Sequence, residues 1–157
     1  MAVLNLQKTI RSLEKTPVIL QTVLRDVTQE QAEQTTDGVD EWSVLFIVCH
    51  LRDCEQLFFD RVWMSVEQDC QQLNYVTNEV LIQQNDYANQ NFTEIMAQLT
   101  TLRERTLAYI RPLSDVQLAR TGIHPIWGEN TVLDYILNIA LHDIDHTEQL
   151  IRALQGG

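Results

Sequence analysis

Residues that interrupt regular structure are scarce in this chain, with 3 Pro and 5 Gly among 157 residues. Collagen-like and low-complexity architectures are thereby excluded, and an apolar fraction of 45% excludes a wholly disordered chain. Cysteine is sparse and odd in number, at 3. Cys49 and Cys54 fall on what reads as one helix, pointing in different directions, so they are expected to stay unpaired. Free thiols suit a reducing cytoplasm. Long hydrophobic runs are missing too. The longest, Val44 to Cys49, is far short of the ~20 residues a membrane span needs. The first residues are polar at regular intervals and do not read as a secretion signal, so a cytoplasmic location is expected. The sequon Asn91-Phe92-Thr93 then reads as chance. Positive charge is the remaining shortage: 11 basic against 22 acidic side chains leave a net charge of −11. Nucleic-acid backbones and anionic membranes bind cationic surfaces, so neither is an expected partner.

What is present is apolar spacing at the helical period, in four segments with almost no strand-like alternation. The first helix is expected from about Val3 to Val27, kinked at Pro17, with Leu6, Ile10, Leu13, Leu20 and Leu24 on one face. The second starts after the N-cap Ser43, with Trp42 packing back onto its first turn, and runs to about Glu67. Asn91 and Glu94 have capping spacing for a third helix, which Pro112 stops. Thr131 and Asp134 open the fourth, and Gly156 and Gly157 end it. Between them lie polar linkers, the last holding a Ser114-x-x-Gln117 turn. The pattern predicts an all-α, four-helix bundle with long irregular linkers, as a single domain over 1–157. A chain of this size withdraws roughly 68–70% of its unfolded surface from water, enough for a core without disulfide or metal staples.

Only four histidines occur, and three of them lie inside helices. His142 and His146 have i, i+4 spacing, which puts both rings on one face within reach of a single ion. His50 sits in the apolar stripe of the second helix. If it faces the same part of the core, three neutral imidazoles converge, and three protein ligands leave open coordination positions. The spacing of one pair alone more often marks two unrelated histidines. A buried imidazole, however, must be hydrogen-bonded or liganded. Asp53 and Cys54 share the face of His50. Asp53 can accept a proton from a ligand imidazole, and Cys54 reads as either a soft ligand or a small buried hydrophobe. Gln149 and Asn138 lie along the stripe of the histidine pair, to orient a bound water or to pair in the core. Asp143 and Asp145 are expected at the helix surface. His124, in the last linker, is a candidate fourth ligand, and Trp63, Trp127 and Tyr135 are candidates for a pocket wall or for core.

Trp42-Ser43 followed by His50-Leu51-x-Asp53-x-Glu55 resembles the second-helix motif of the DinB-like (DinB/YfiT) superfamily of metal-dependent enzymes. Gly122-x-His124-Pro125-x-x-Gly128-x-x-Thr131, then His142-Asp143-x-Asp145-His146-x-x-Gln149, resembles the last linker and last helix of the same superfamily. The resemblance implies a four-helix bundle that holds a divalent metal by His50, His142 and His146. It also implies, as one branch, transfer using a low-molecular-weight thiol, and a homodimer. An open three-histidine site would also lower the pKa of a bound water, so metal-assisted thiol transfer or hydrolysis on a small-molecule substrate is expected. Zinc or nickel is expected ahead of iron, since imidazole suits all three. Two other readings stay open: a non-catalytic, stress-related metal-binding bundle, and a helical interaction protein with core histidines. His142-Asp143-x-x-His146 departs from the zinc-protease HExxH in having Asp for Glu, and no GxSxG elbow, P-loop or dinucleotide fingerprint occurs.

Overall fold

A helix leaves its first N–H groups unpaired, and every long helix here begins beside a side chain that accepts one of them. The computed structural model describes residues 5–39 and 41–156. In chain order it contains α1 (Leu6–Leu24), α2 (Gln29–Gln34), α3 (Val44–Glu67), β1 (Gln71–Gln72), α4 (Asn78–Gln84), α5 (Phe92–Ile110), α6 (Asp115–Leu118), β2 (Thr121–His124), β3 (Gly128–Thr131) and α7 (Val132–Leu154). Asn5, Ser43, Asn91 and Thr131 cap the four long helices α1, α3, α5 and α7, and Thr131 and Asp134 form a reciprocal capping box. Asn91 of the sequon is thus a helix cap. The boundaries expected for α3, α5 and α7 hold. Helix α1 ends at Leu24, before the expected Val27, and its expected start at Val3 lies outside the described residues.

The long helices do not follow one another around the bundle. Helix α7 packs against both α1 and α3, while α5 packs against α3 and, less extensively, α1. Consecutive long helices α1 and α3 therefore face each other across the core, as do α5 and α7. Two linkers, 25–43 and 111–131, must therefore cross an end of the bundle. They also carry structure of their own: α2 in the first, α6 and a β-hairpin in the last.

The expected absence of strands is corrected by a small sheet. β1 runs parallel to β2, with Gln71 opposite Gly122, and β2 pairs antiparallel with β3, with Thr121 opposite Thr131 and His124 opposite Gly128. These strands are two to four residues long and rich in Gly, Asn and Gln. They lack an apolar alternation, and it is pairing across the chain that makes them strands. Gly122 is required: a Cβ there would lie 2.3 Å from Ser65 Oγ on α3. The apolar core forms two clusters, one around Ile47, Val48, Ile95 and Leu150, the other around Phe58, Val62, Ile110 and Ile136. Polar side chains near the middle of the long helices lie between them.

Candidate metal centre

His50 comes from α3, and His142 and His146 from successive turns of α7, the two helices packed face to face. Their Nε2 atoms converge. His142 Nε2 lies 3.1 Å from His50 Nε2 and 3.1 Å from His146 Nε2. Cys54, one turn after His50, places Sγ 3.4 Å from His50 Nε2. The ligating atoms of His50, Cys54 and His142 lie within 4.8 Å of one another. Trp42 does not simply cover the first turn of α3. Its ring stands edge-on to His50 at 5.1 Å and parallel to His146 at 6.5 Å, and Phe58 is edge-on to His142 at 5.1 Å.

Electrostatics keep the His50 and His142 rings neutral. Burial, followed by the charge of His146, pushes His50 down to about 3. Burial, then His146, His50 and the two arginines Arg103 and Arg61, push His142 down to about 2. Burial first, then Asp53, pushes the Cys54 thiol up to about 12, so it is protonated near neutral pH. The tautomer of His146 follows from its neighbour. Gln149 Nε2 donates to the buried Asp37 carboxylate, which orients the amide so that its Oε1 accepts from His146 Nδ1 at 2.7 Å. Nδ1 then carries the proton, and Nε2 presents its lone pair to the cluster. Imidazole Nε2 atoms 3.1 Å apart suit one shared ion, since tetrahedral nitrogen ligands about 2.0–2.1 Å from zinc lie about 3.4 Å from each other. The donor set thus fits a divalent transition metal.

Asp53 does not perform the role expected of it. Its carboxylate accepts from Arg52 Nε at 2.6 Å, Asn85 Nδ2 at 2.8 Å and Tyr87 Oη at 2.6 Å, pinning α3 to the segment before α5. Gln149, backed by Asp37, orients an imidazole instead. Asp37 was missed because it lies in a polar linker, 112 residues from Gln149.

Asp143 is likewise corrected, because it is not a surface residue. Helix α7 has neighbours on two sides, so the position next to His142 faces the interior. There Asp143 accepts from Thr16 and pairs with Arg103 Nη2 at 2.9 Å. Arg103, 4% exposed, also grips Glu55 through Nε and Nη2 at 2.9 and 2.7 Å. Its Nη1 donates to the Leu13 carbonyl at 3.1 Å and to Thr16 Oγ1 at 3.2 Å. Leu13 is four residues before Pro17, which has no N–H to give it, so the proline frees that carbonyl for the arginine. Asp145 is exposed, as expected.

His124 stands with a different set of rings. It stacks on Trp127 at 4.1 Å and meets Tyr75 edge-on, and its Nδ1 accepts the N–H groups of Ile126 and Trp127. Tyr135 is buried, its hydroxyl donating to the Gly122 carbonyl, while Trp63 is exposed. Asn138 and Tyr135 line a groove of about 320 Å³ with Trp127 and Asn130. A second groove, about 870 Å³, reaches His146 and Trp42 and carries the carboxylates of Glu79, Asp145 and Glu148, the last paired with Arg152.

A helical bundle with clustered, inward-facing histidines defines a class that the comparisons narrow. The sequence profile of the DinB superfamily matches residues 12–150, and the chain belongs to that family. Among solved structures, it resembles YfiT from Bacillus subtilis, described as a probable metal-dependent hydrolase with an unusual four-helix bundle topology. The TM-score is 0.83 at 23% identity, covering 100% of this chain and 91% of that one. The mycothiol-dependent maleylpyruvate isomerase matches with TM-score 0.78 at 11% identity over 94% of this chain and 61% of the isomerase chain. TT2238, a four-helix bundle protein, matches with TM-score 0.69 at 18% identity over 98% of this chain and all, 100%, of its own. At these identities the structures establish the shared fold. No curated protein matches the sequence. No helix among the described residues is long and apolar enough to cross a membrane.

Proposed function

We propose that this chain is a metal-dependent enzyme acting on a small molecule, by hydrolysis or by transfer to or from a low-molecular-weight thiol. His50, His142 and His146 would hold the divalent ion, zinc or nickel ahead of iron, with Cys54 beside them. The observation that carries this reading is that His142 Nε2 lies 3.1 Å from both His50 Nε2 and His146 Nε2. Its support from relatives is the metal-dependent hydrolase description of YfiT and the thiol dependence of the isomerase. A bound ion would supply Lewis acidity and a lowered pKa for a bound water or thiol.

The chain's own residues prepare the site. Asp37 and Gln149 fix the His146 tautomer, Trp42 and Phe58 exclude water from the rings, and the acidic groove at His146 favours arrival of a cation. Exposed Ile19, Ile144 and Ile151 on α1 and α7 give an apolar face that suits the homodimer expected of the family. The test is a screen of esters, amides and electrophiles with several thiols on metal-loaded protein. Turnover that His50→Ala abolishes supports the reading.

One observation favours the non-catalytic alternative. The interior carboxylates near the histidines, Asp53, Glu55 and Asp143, are all engaged by other side chains and are not poised as a base. Metal-dependent stabilisation without turnover across that screen would select this second reading.

A further inference from the structure

Arg61 and His124 take no part in the histidine cluster, yet both are buried, at 6% and 1% exposure. Arg61 Nε and Nη1, His124 Nε2 and Ser65 Oγ have no hydrogen-bond partner among the described residues. The Phe58 and Trp127 rings lie 5.3 and 5.1 Å from Arg61 Cζ. Cation–π contact of this kind steadies the charge without using the N–H donors. His124 Nδ1 accepts two backbone N–H groups, so the ring proton resides on Nε2, which is a donor. Burial and the neighbouring Arg61 charge both hold this imidazole in its neutral form.

The elements bring these groups to one place. Gly122 lies directly over Ser65. From there, one helical turn back along α3 reaches Arg61, about 6 Å away, and two residues along β2 reach His124, about 6.7 Å away. Gly122 and His124 share the buried face of β2, and the Trp127 ring that stacks on His124 at 4.1 Å also lies 5.1 Å from Arg61 Cζ, so His124 and Arg61 meet on one ring. The result is one positive charge and two further donors gathered without an acceptor. Buried charge is tolerated when it is paired, and a single carboxylate matches this set in charge and in hydrogen-bonding sense.

We propose that Arg61, His124 and Ser65 form a carboxylate-binding pocket that seats the acidic end of a small-molecule ligand. That the ligand is the substrate rests on the function proposed above; the pocket itself does not. Phe58 touches both Arg61 and His142, so the pocket and the histidine cluster are separated by one ring. Trp127, 49% exposed at the tip of the hairpin, covers the pocket and borders the groove with Asn130 and Asn138, where the rest of a ligand has room.

The test uses metal-free full-length protein, titrated with sodium acetate and separately with inorganic phosphate at constant ionic strength. The Arg61 Nε–H and His124 ring nitrogen signals are followed by NMR. Acetate should move both signals along one saturating curve, and Arg61→Met should abolish saturation. Arg61→Lys, which keeps the charge but not the planar fork, should weaken binding several-fold and serves if the Met variant does not fold. His50→Ala should bind acetate as the parent does, so loss of the metal reading would leave this response intact. A linear response, an equal response in Arg61→Met, or tighter binding of phosphate than acetate would overturn the proposal.

Discussion

Arg103 and Arg61 are both buried arginines in one helical bundle, and they are treated in opposite ways. Arg103 directs its donors to Glu55, Asp143, Thr16 and the carbonyl that Pro17 leaves free. Arg61 is flanked by aromatic rings, and its Nε and Nη1 meet no acceptor among the described residues. The histidines form a third polar group: His142 Nε2 lies 3.1 Å from both His50 Nε2 and His146 Nε2, and the three rings offer one another too few donors and acceptors to satisfy every nitrogen. A polar network that satisfies itself holds helices in register. One whose atoms are left without acceptors among the described residues is where the proposed ligands would sit.

That contrast orders the expected effects of substitution. Arg103→Met strands Glu55 and Asp143 in the core, and should lower stability by about 3–5 kcal/mol in a denaturant titration. Replacing Arg103, Glu55 and Asp143 together with apolar residues should recover most of that loss; failure to recover would mean that the network does more than satisfy itself. The open cluster should respond to metal instead. Zinc at a thousandfold excess over its Kd should stabilise the protein by about 4 kcal/mol, read as a rise in Tm. That rise should vanish in His142→Ala. Gln149→Leu removes the support of His146 and leaves Asp37 without that amide. It should weaken metal binding by about 10–100-fold in a chelator competition. Arg61→Met should change stability least, by about 1 kcal/mol or less and in either direction, because no acceptor is left behind. A loss in Arg61→Met as large as that in Arg103→Met would erase the distinction between the two regions.

Much of this was legible from local chemistry. Ser43, Asn91 and Thr131 announce helix starts through side chains that bond three residues ahead, and apolar spacing marks the faces that pack. The i, i+4 spacing of His142 and His146 and the place of His50 in an apolar stripe made these rings candidates, and the resemblance to the superfamily joined the three into one set. What was not legible depends on distant partners. Asp143 read as a surface residue because its partners, Thr16 and Arg103, come from α1 and α5. Asp53 read as an imidazole partner because Tyr87 and Asn85, which hold it, are over thirty positions away. The strands were invisible because Gly, Asn and Gln pair there for want of any apolar pattern, and the crossing of α1 and α3 was left open by the helix spans alone.

The central claim is that His50, His142 and His146 together hold one divalent metal ion. Elemental analysis of protein purified without a histidine tag, before and after dialysis against zinc or nickel, tests it most directly. The account predicts close to one equivalent of metal in the parent chain, and loss of it in His50→Ala and in His146→Ala while both variants keep their helical circular dichroism. A parent chain that takes up no metal, or variants that bind it as well as the parent, would contradict it.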